Sequence, residues 1–309
     1  HAPVSWDRAF EQIGSRLRAI HEAHGPDAFA LLGVGGQGNH IAALNALALL
    51  IGSGSKWWFN ALAQEKTQRS LVDEWMLDAT PDAMSVGHVE EADVAVVLGS
   101  NFTVSQRGVA PTRMVLAFNK DPARKLIVID PRHTETARKA DQHIAIAVGT
   151  DVYLLLGMAA VIVSEELYDK AHVRDKTVGF DAIAEILRAV DVPEMARACH
   201  VDLAVLTQLT REIAAANRAS LEMDLGVEQS RFNTLTAYLL RLIMALTNNL
   251  GREGGTVFVS SFAPRGARFR RLDGKATVSG IPGIPLMLPV PMYSPSLFSE
   301  EVLTDHPAR

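Results

Sequence analysis

Short polar segments that directly follow apolar runs are the residues of this chain best suited to hold a ligand. Three of them occur close together: Gly99-Ser100-Asn101 after 94–98, Asp130-Pro131-Arg132 after 126–129, and Gly149-Thr150-Asp151 after 143–146. Glycine allows close backbone approach, hydroxyl groups can donate or accept hydrogen bonds, and carboxylates accept them. The residue types therefore indicate one ligand that is contacted from several segments.

The elements that must position these segments form a βαβ unit. Residues 94–98 and 126–129 are short apolar runs rich in β-branched side chains, which predicts buried parallel strands. The apolar spacing of 112–119 predicts the crossover helix between them, and 143–146 predicts a third strand before an apolar helix over 152–163. Ligands of such sheets bind beyond the carboxyl ends of the strands, so we expect the three polar segments to face one crevice.

Composition limits the class of protein. The 309 residues have room for about two domains of ordinary size. With 48% hydrophobic and 21% charged residues the chain has the make-up of an α/β globular protein, and no apolar stretch reaches the roughly 18 residues of a membrane span. The net charge of −5 argues against nucleic acid as a partner. We expect the locally basic segment 265–271 to be a solvated loop or an anion contact.

A lone cysteine restricts the redox chemistry of this chain. Cys199 can form no internal disulfide and cannot by itself build an iron–sulfur or zinc cluster that needs several thiolates. A packed thiol is favoured over a reactive nucleophile. No signal peptide opens the chain, and His1 is not an initiator methionine. We therefore expect a missing or processed N-terminus, and the compartment stays open between a favoured cytoplasm and the periplasm.

A glycine-rich segment offers a different function. Residues 6–24 predict an amphipathic helix with Ser5 as its N-cap, and 28–34 predict a strand. Gly33, Gly35 and Gly38 then form a GxGxxG before a helix over 41–51, which is the context of a nicotinamide-binding fingerprint. That fingerprint needs an acidic residue about 20 positions further on, and 53–60 contains none. A nicotinamide-dependent dehydrogenase is therefore kept as an alternative.

The remaining elements follow from periodicity. We predict helices over 64–77, 180–190, 193–198, 203–216 and 235–246, and a strand over 256–259. Trp57, Trp58 and Phe59 are assigned to core packing rather than to a stacking platform. Residues 220–225 predict a strand that is less than fully buried, because Glu222 and Asp224 lie in it. The proline-rich segment after Ser260 predicts extended chain that lies on a surface or awaits a partner.

In the order of its motifs, the chain resembles the molybdopterin oxidoreductases of the dimethyl sulfoxide reductase and formate dehydrogenase superfamily. The resemblance covers 4–255, and the stretches that carry it are VSWDRAFEQI, EEADVAVVLGSN, KLIVIDPRHTETARKADQHIAIAVGTD, LYDKAHVRDKTVGFD and LGVEQSRFNTLTAYLLRLIMALTNNLGREGG. It implies an α/β fold with a doubly wound, mostly parallel sheet domain and a second, discontinuous α/β domain. We predict a Rossmann-like dinucleotide-binding domain over 89–217, and a second domain formed by 1–88 with 218–309.

The resemblance also implies a function. Members of this family bind two molybdopterin guanine dinucleotides around molybdenum or tungsten and catalyse two-electron redox or oxygen-atom transfer. The substrate would be a small molecule such as formate or an oxyanion. Carried over by position, the cofactor-binding residues would be Gly99, Ser100, Asn101, Asp130, Arg132, Thr134, Gly149, Thr150, Asp151, Gly226 and Gln229. Asp151 would accept from the guanine N–H groups, while a capping role for Asp130, Thr134 and Asp151 is the alternative.

The chain departs from the family pattern at its ends. Relatives carry an N-terminal segment with several cysteines, so a [4Fe-4S] cluster is expected only in a segment absent from this sequence. They also end in a β-rich domain of more than a hundred residues. We therefore expect the chain to be the middle of a longer protein, whose further partners are its own missing domains and an electron-transfer subunit. A non-catalytic subunit that binds a partner through the proline-rich tail is the second alternative.

The chain also departs from the family pattern at the residue that binds the metal in relatives. Gln68 lies near the place where relatives supply a metal ligand, with Arg69 beside it. A neutral amide is a poor ligand, so we expect no protein ligand to the metal, with Glu65 as the alternative. Gln68 and Arg69 are nevertheless the candidate catalytic residues. Arg69 would bind an anionic substrate or, as the favoured alternative, form a surface salt bridge. Phe102 and Asp224 stand where relatives commonly have proline and glycine.

Overall fold

The computed structural model describes residues 2–33, 40–78, 83–105, 111–260, 281 and 293–304. Its strands are β1 (Ala30–Leu32), β2 (Trp57–Phe59), β3 (Ala83–Gly87), β4 (Val94–Leu98), β5 (Lys125–Ile129), β6 (Gln142–Ile144), β7 (Ala219–Met223) and β8 (Thr256–Ser260). Its α-helices are α1 (Trp6–His24), α2 (His40–Gly52), α3 (Thr67–Leu77), α4 (Phe102–Ser105), α5 (Pro111–Phe118), α6 (Asp151–Ser164), α7 (Lys170–Lys176), α8 (Phe180–Arg188), α9 (Val192–Cys199), α10 (Leu203–Ala215), α11 (Leu225–Glu228), α12 (Asn233–Leu246) and α13 (Phe298–Leu303).

The chain divides into two units, residues 1–67 with 264–309 and residues 68–263. These bounds differ from the predicted boundaries at 88/89 and 217/218. The physical reason is that β7, which starts at Ala219, pairs with β4 and so shares its sheet. The predicted domain organisation stays a prediction.

The unit 68–263 is built on a parallel sheet with the strand order β6-β5-β4-β7. Val94 of β4 lies opposite Lys125 of β5 on one side and opposite Ala219 of β7 on the other. β6 extends the sheet beyond β5, with Ile127 opposite Gln142. The predicted strands over 94–98 and 126–129 are confirmed, the third is shifted to β6, and the α/β class with a parallel sheet is confirmed.

Both faces of this sheet are covered by helices, which explains its unbroken apolar runs. Val96 and Leu98 join a core that includes α6, α10 and α12. Ala95 and Val97 join a second core that includes α5. Alternate side chains of a strand point to opposite faces, so both sets must be apolar when both faces are buried.

The predicted helices are confirmed with small shifts at their ends: 112–119 corresponds to α5, 152–163 to α6, 180–190 to α8, 193–198 to α9, 203–216 to α10 and 235–246 to α12. The helix expected over 64–77 begins only at Thr67, because 61–63 forms a 3₁₀ turn and Lys66 has a left-handed φ of 62°. Cys199 is fully buried, which confirms the packed thiol.

Strand β7 corrects one prediction. Residues 220–225 were expected to form a partly exposed strand, but every residue of β7 is buried, including Glu222 at 2% exposure. The carboxylate can be buried because Arg69 donates to its Oε1 over 2.7 Å and the backbone N–H of Gly87 donates to Oε2 over 2.7 Å. β3, to which the sequence analysis assigned no element, pairs with β8 in an antiparallel ribbon.

The unit 1–67 with 264–309 has a small aromatic core. β1 and β2 pair in parallel, and Trp57 and Phe59 pack against Tyr293 with ring centroids 4.9 and 5.3 Å away. This confirms core packing for the aromatic segment. The predicted strand over 28–34 is β1, and the helix over 41–51 is α2. Gly33 has a φ of 98°, whereas Gly35, Gly38 and most of the proline-rich segment lie outside the described residues.

Helix α1 has the predicted cap and an uncovered apolar side. Ser5 Oγ accepts a hydrogen bond from the N–H of Arg8 over 3.3 Å. No residue of α1 is buried, and Trp6 and Phe10 are 77% and 65% exposed. Among the described residues, no helix is long and apolar enough to cross a membrane.

Core packing gives the first test. Leu126→Ala should lower the free energy of unfolding by about 2–5 kcal/mol, because Leu126 is buried beneath α5 and truncation leaves a cavity. Leu116→Ala, on the exposed side of α5, should change it by no more than about 0.5 kcal/mol. Urea unfolding of both variants measures the difference. Equal effects would show that this face of the sheet is not covered.

Candidate functional site

The carboxyl edge of the parallel sheet carries all the predicted cofactor-binding residues. Gly99, Ser100 and Asn101 follow β4, and Asp130 follows β5 with Arg132 and Thr134 just beyond. Gly149 and Thr150 lie between β6 and α6, and Asp151 is the first residue of α6. Beyond β7, Gly226 lies in α11 and Gln229 follows that helix. Parallel strands end at one edge, so segments far apart in the sequence are brought together at that edge of the sheet.

The loops after β4 and β7 touch through glycine backbone. Gly226 N donates to Gly99 O over 3.1 Å, and a Cβ placed on Gly226 would lie 2.6 Å from that oxygen. Gly99 has a φ of 57°, which glycine adopts without a penalty. These two glycines are therefore required for the packing of the loops, whether or not a ligand approaches them.

Asp224 and Phe102, which stand where relatives commonly have glycine and proline, support these loops. Asp224 Oδ2 accepts a hydrogen bond from Ser100 Oγ over 3.0 Å, which joins the β7 loop to the β4 loop. Phe102 begins α4 and is buried in the core beneath α5. The Ser100 hydroxyl is therefore used within the protein, and its contribution to a ligand would come from its backbone.

Asn101 joins the β4 loop to the β5 loop. Its Nδ2 donates to Glu135 Oε2 over 2.6 Å, and its Oδ1 accepts from Thr136 N over 3.1 Å and from Thr136 Oγ1 over 2.8 Å. The pKa of Glu135 is lowered by its own backbone N–H and by Asn101. Sequence reasoning missed Glu135 and Thr136, although both lie in the quoted DPRHTETA segment.

The β5 loop combines capped turns with an exposed arginine, Arg132. Asp130 Oδ1 accepts from Arg132 N over 2.9 Å, and Thr134 Oγ1 accepts from Ala137 N over 3.1 Å. The capping alternative is thus seen for Asp130 and Thr134. The Arg132 side chain is 63% exposed and lies 3.6 Å from Glu135, so its guanidinium can reach a ligand phosphate.

Asp151 is a buried carboxyl group at the start of α6. It is 6% exposed, and burial raises its pKa to about 6, with a further increase from the charge of Asp130 that its own backbone N–H opposes. Thr150, the N-cap, uses its Oγ1 to donate to Ala147 O over 2.6 Å, so it does not cap the helix. Asp151 therefore stands at the crevice as an acceptor whose ionisation is sensitive to its surroundings.

Arg69 is part of a buried ion pair, so the predicted surface salt bridge is wrong. Arg69 is 3% exposed, and its Nη2 donates to Glu222 Oε1 over 2.7 Å and to Met223 O over 3.1 Å. Its Nε lies 3.7 Å from Glu228 Oε1. Burial by itself would lower the pKa of Arg69, but the charges of Glu222, Glu228 and Asp224 outweigh it and raise that pKa.

A second buried ion pair fixes the same helix. Arg241 of α12 donates from Nε to Asp73 Oδ1 of α3 over 2.8 Å, and Ser85 Oγ is hydrogen-bonded to both residues. Burial lowers the pKa of Arg241, against the charge of Asp73. Arg69 and Asp73 are four residues apart on one helix, a spacing at which oppositely charged side chains can pair with each other. The sequence therefore does not reveal that each of them instead pairs with a residue of another element.

Gln68 precedes Arg69 in the first turn of α3 and is 4% exposed. Within the described part of the chain its Nε2 has no hydrogen-bond acceptor, and neither have Arg69 Nε and Nη1. Among the described residues, no group of three or more His, Cys, Asp or Glu is placed to hold a metal ion.

The chain is similar in sequence to proteins of one family. The family model described as "Molybdopterin oxidoreductase" matches residues 1–287. Formate dehydrogenase H from Escherichia coli (strain K12) is 32% identical over 254 residues, which cover 81% of this chain and 35% of that protein. The F420-dependent formate dehydrogenase subunit alpha from Methanocaldococcus jannaschii is 34% identical over 170 residues, covering 55% of this chain and 25% of that protein.

A solved structure supports the fold. Acetylene hydratase from Pelobacter acetylenicus superimposes with a TM-score of 0.67 at 22% identity, over 83% of this chain and 34% of that chain. At this identity the likeness concerns the fold alone. The chain spans about a third or less of the length of these relatives.

The contact between the loops gives the second test. Gly226→Ala should lower the free energy of unfolding by about 1–3 kcal/mol, because the added methyl group would overlap Gly99 O. Gly14→Ala is the control, since a Cβ there meets nothing within 4 Å, and it should stabilise α1 by about 0.5–1 kcal/mol. A Gly226→Ala protein as stable as wild type would show that the two loops are not in contact.

The third test uses the raised pKa of Asp151. An ordinary Asp has a pKa near 3.9, so a folded value of about 6 favours the protonated form of the folded protein. The contribution of this carboxyl group to the free energy of unfolding is therefore fully present below about pH 4. It is lost as pH rises through about 6, which lowers the free energy of unfolding by about 3 kcal/mol in total. Asp151→Asn, which cannot ionise, should therefore gain about 3 kcal/mol relative to wild type between pH 4 and 7 when the protein lacks its ligand.

Urea unfolding of the ligand-free protein at several pH values measures this difference. Asp181→Asn, at an exposed position in the first turn of α8, is the matched control and should keep the wild-type loss of stability between pH 4 and 7, because Asp151 is unchanged in it. An Asp151→Asn profile parallel to that of wild type would contradict the burial of the carboxyl group.

Proposed function

The chain belongs to the molybdopterin oxidoreductase family, and from this premise we propose that the crevice at the carboxyl edge of its parallel sheet binds a molybdopterin guanine dinucleotide with molybdenum or tungsten. The family predicted from the motifs is confirmed. The matched region contains Gly33, Gly35 and Gly38, so the nicotinamide-dependent alternative loses its support.

One observation carries the proposal: four strand ends place small, acidic and basic groups at a single edge. The glycine contact joins the β4 and β7 loops at this edge through backbone alone. Arg132 offers an exposed guanidinium, and Asp151 offers a buried carboxyl group. A guanine dinucleotide has a pyrophosphate that the Arg132 guanidinium can bind and ring N–H groups that the Asp151 carboxylate can accept from. These residues therefore suit such a ligand.

The proposed roles follow from what each side chain already does. Arg132 would bind the pyrophosphate, and the backbone at Gly99, Ser100 and Asn101 would line it, because the side chains of Ser100 and Asn101 are engaged within the protein. Asp130 and Thr134 would hold the turn that meets the sugar. The other proposed contacts are Gly149 and Thr150 beside the guanine, and Gly226 and Gln229 at the second approach to the pterin.

Asp151 would recognise the guanine. A carboxylate accepts from both the ring N–H and the exocyclic amino group, and a pair of such hydrogen bonds offsets the desolvation of the charge. Ligand binding would then favour the ionised form that burial disfavours. We therefore expect dinucleotide affinity to increase as pH rises through about 6.

The activity that we propose is two-electron redox or oxygen-atom transfer on a small substrate such as formate or an oxyanion. When bound, the metal and its dithiolene sulfurs supply the electron or oxygen-atom transfer, whereas this chain binds and orients the cofactor. Both curated relatives named above are called formate dehydrogenases, and one of them is called a subunit, which supports formate as a substrate and a further subunit as a partner. We propose electron transfer as the role of that subunit. A [4Fe-4S] cluster in another segment also stays part of the proposal, as does a second dinucleotide.

The fourth test analyses the complete protein that contains this chain, purified from its native host. Elemental analysis and fluorescence of the released, oxidised pterin should give one molybdenum or tungsten and two pterins per chain. Asp151→Ala should lower the pterin content at least about tenfold, because one lost charge-assisted hydrogen-bonding group corresponds to about 1.5–3 kcal/mol.

Asp181→Ala, which changes an exposed carboxylate, is the matched control and should retain the wild-type pterin content. Wild-type protein without metal and without pterin would overturn the proposed function and would support a non-catalytic relative. Full pterin content in Asp151→Ala would overturn the role of Asp151 alone.

A further inference from the structure

Buried donor atoms of two residues in the first turn of α3 lack an acceptor. Gln68 Nε2, Arg69 Nε and Arg69 Nη1 are shielded from water and have no hydrogen-bond partner among the described residues, and Arg69 Nε lies 3.7 Å from Glu228 Oε1. Gln68 is 4% exposed and Arg69 is 3% exposed. A buried donor without an acceptor costs about 1–3 kcal/mol, and folded proteins leave few of them. Such donors in two consecutive residues therefore indicate that a group from outside the chain supplies acceptors.

Arg69 places this position at the crevice. Its Nη2 is bonded to Glu222 and to the carbonyl of Met223, the last residue of β7. Its Nε lies 3.7 Å from Glu228, the last residue of α11, the short helix that contains Gly226. The unused Nη1 therefore belongs to a guanidinium that is fixed at the carboxyl end of β7, where the β7 loop contacts the β4 loop.

The charges around Arg69 decide the kind of acceptor. Glu222 lies 2.7 Å away and Glu228 lies 3.7 Å away, and Asp224 also acts on the guanidinium. An oxyanion at Nη1 would share the cation with these carboxylates and would be repelled by them. A neutral carbonyl oxygen or ring nitrogen gains the same hydrogen bonds without that repulsion. The amide of Gln68 is also neutral and suits such an acceptor.

We propose that Gln68 and Arg69 bind the pterin ring of the cofactor through its neutral carbonyl and ring-nitrogen acceptors, and that Arg69 does not bind an anionic substrate. This inference rests on the proposed function, since it needs a pterin in the crevice. The pairing has a chemical precedent in the contact that arginine makes with the carbonyl oxygen and adjacent ring nitrogen of guanine.

Two substitutions test the proposal by removing donors. Gln68→Met keeps about the size of the side chain and removes its –NH₂ group together with the amide oxygen. Arg69→Lys keeps a cation for Glu222 and removes Nη1. Both variants are made in the complete protein, which is produced with its cofactor and, in a host unable to make the pterin, without it.

The expected results differ between the two forms. Without cofactor, Gln68→Met should unfold at the same temperature as wild type or higher, because it removes an unsatisfied donor. With cofactor, Gln68→Met and Arg69→Lys should each lose pterin about tenfold faster than wild type, the change that corresponds to about 1.4 kcal/mol. Fluorescence of the released, oxidised pterin after timed gel filtration measures the loss.

Arg241→Lys is the matched control for Arg69→Lys. Arg241 is 2% exposed and paired with Asp73, and its guanidinium is not among the groups left without an acceptor. This variant should lower the unfolding temperature while the rate of pterin loss stays at the wild-type value. Faster pterin loss from Arg241→Lys, equal to that from Arg69→Lys, would overturn the proposal.

Other outcomes also separate the alternatives. If Gln68→Met destabilises the cofactor-free protein and keeps its pterin, the donors serve the fold or a bound water, and the proposal is overturned. If Arg69→Lys keeps its pterin and raises the KM for formate or nitrate, Arg69 binds the anionic substrate and the proposal is also overturned. Wild-type protein without pterin would remove the proposed function itself, which distinguishes that failure from the others.

Discussion

The parallel pairing of β4 on both of its edges is the constraint on which the rest of this unit depends. β5 and β7 take up the backbone hydrogen bonds of β4 on its two sides, and both run in its direction. Parallel neighbours cannot be joined by tight turns, so the chain must return through helices that cover both faces of the sheet. The same pairing collects the carboxyl ends of the strands at one edge, and the loops that follow them form the crevice.

Buried charge is the consequence of that arrangement at β7. A strand covered on both faces has no solvent for Glu222, so Arg69 of α3 and the N–H of Gly87 satisfy its two oxygens. Asp73, also in α3, is held by Arg241 of α12. Buried pairs of this kind contribute little net stability, but the loss of one partner leaves a buried charge and is costly. They fix the position of α3, and with it the donors of Gln68 and Arg69.

The crevice contains two kinds of polar side chain: some are hydrogen-bonded within the protein, and others are buried at an energetic cost. Ser100, Asn101, Asp130 and Thr134 use their side chains to hold loops. Asp151, Gln68 and part of Arg69 are buried at an energetic cost. We infer that the first set builds the walls and that the second set meets the ligand, which would offset that cost on binding.

The sequence by itself determined the local elements and the family. Apolar runs and helical spacing are short-range signals, so they predicted β4, β5, α5, α6 and α12, the cap at Ser5 and the buried thiol of Cys199. The ordered motifs predicted the family, and the segments that they contain lie at the carboxyl edge of the sheet. Only the tertiary structure decided that β7 lies beside β4, that Glu222 is buried and that Arg69 is its partner rather than a surface residue. The physical reason is that these contacts join residues more than a hundred positions apart, and a pattern read along the chain contains no information about which distant partner will satisfy a buried charge or a free strand edge.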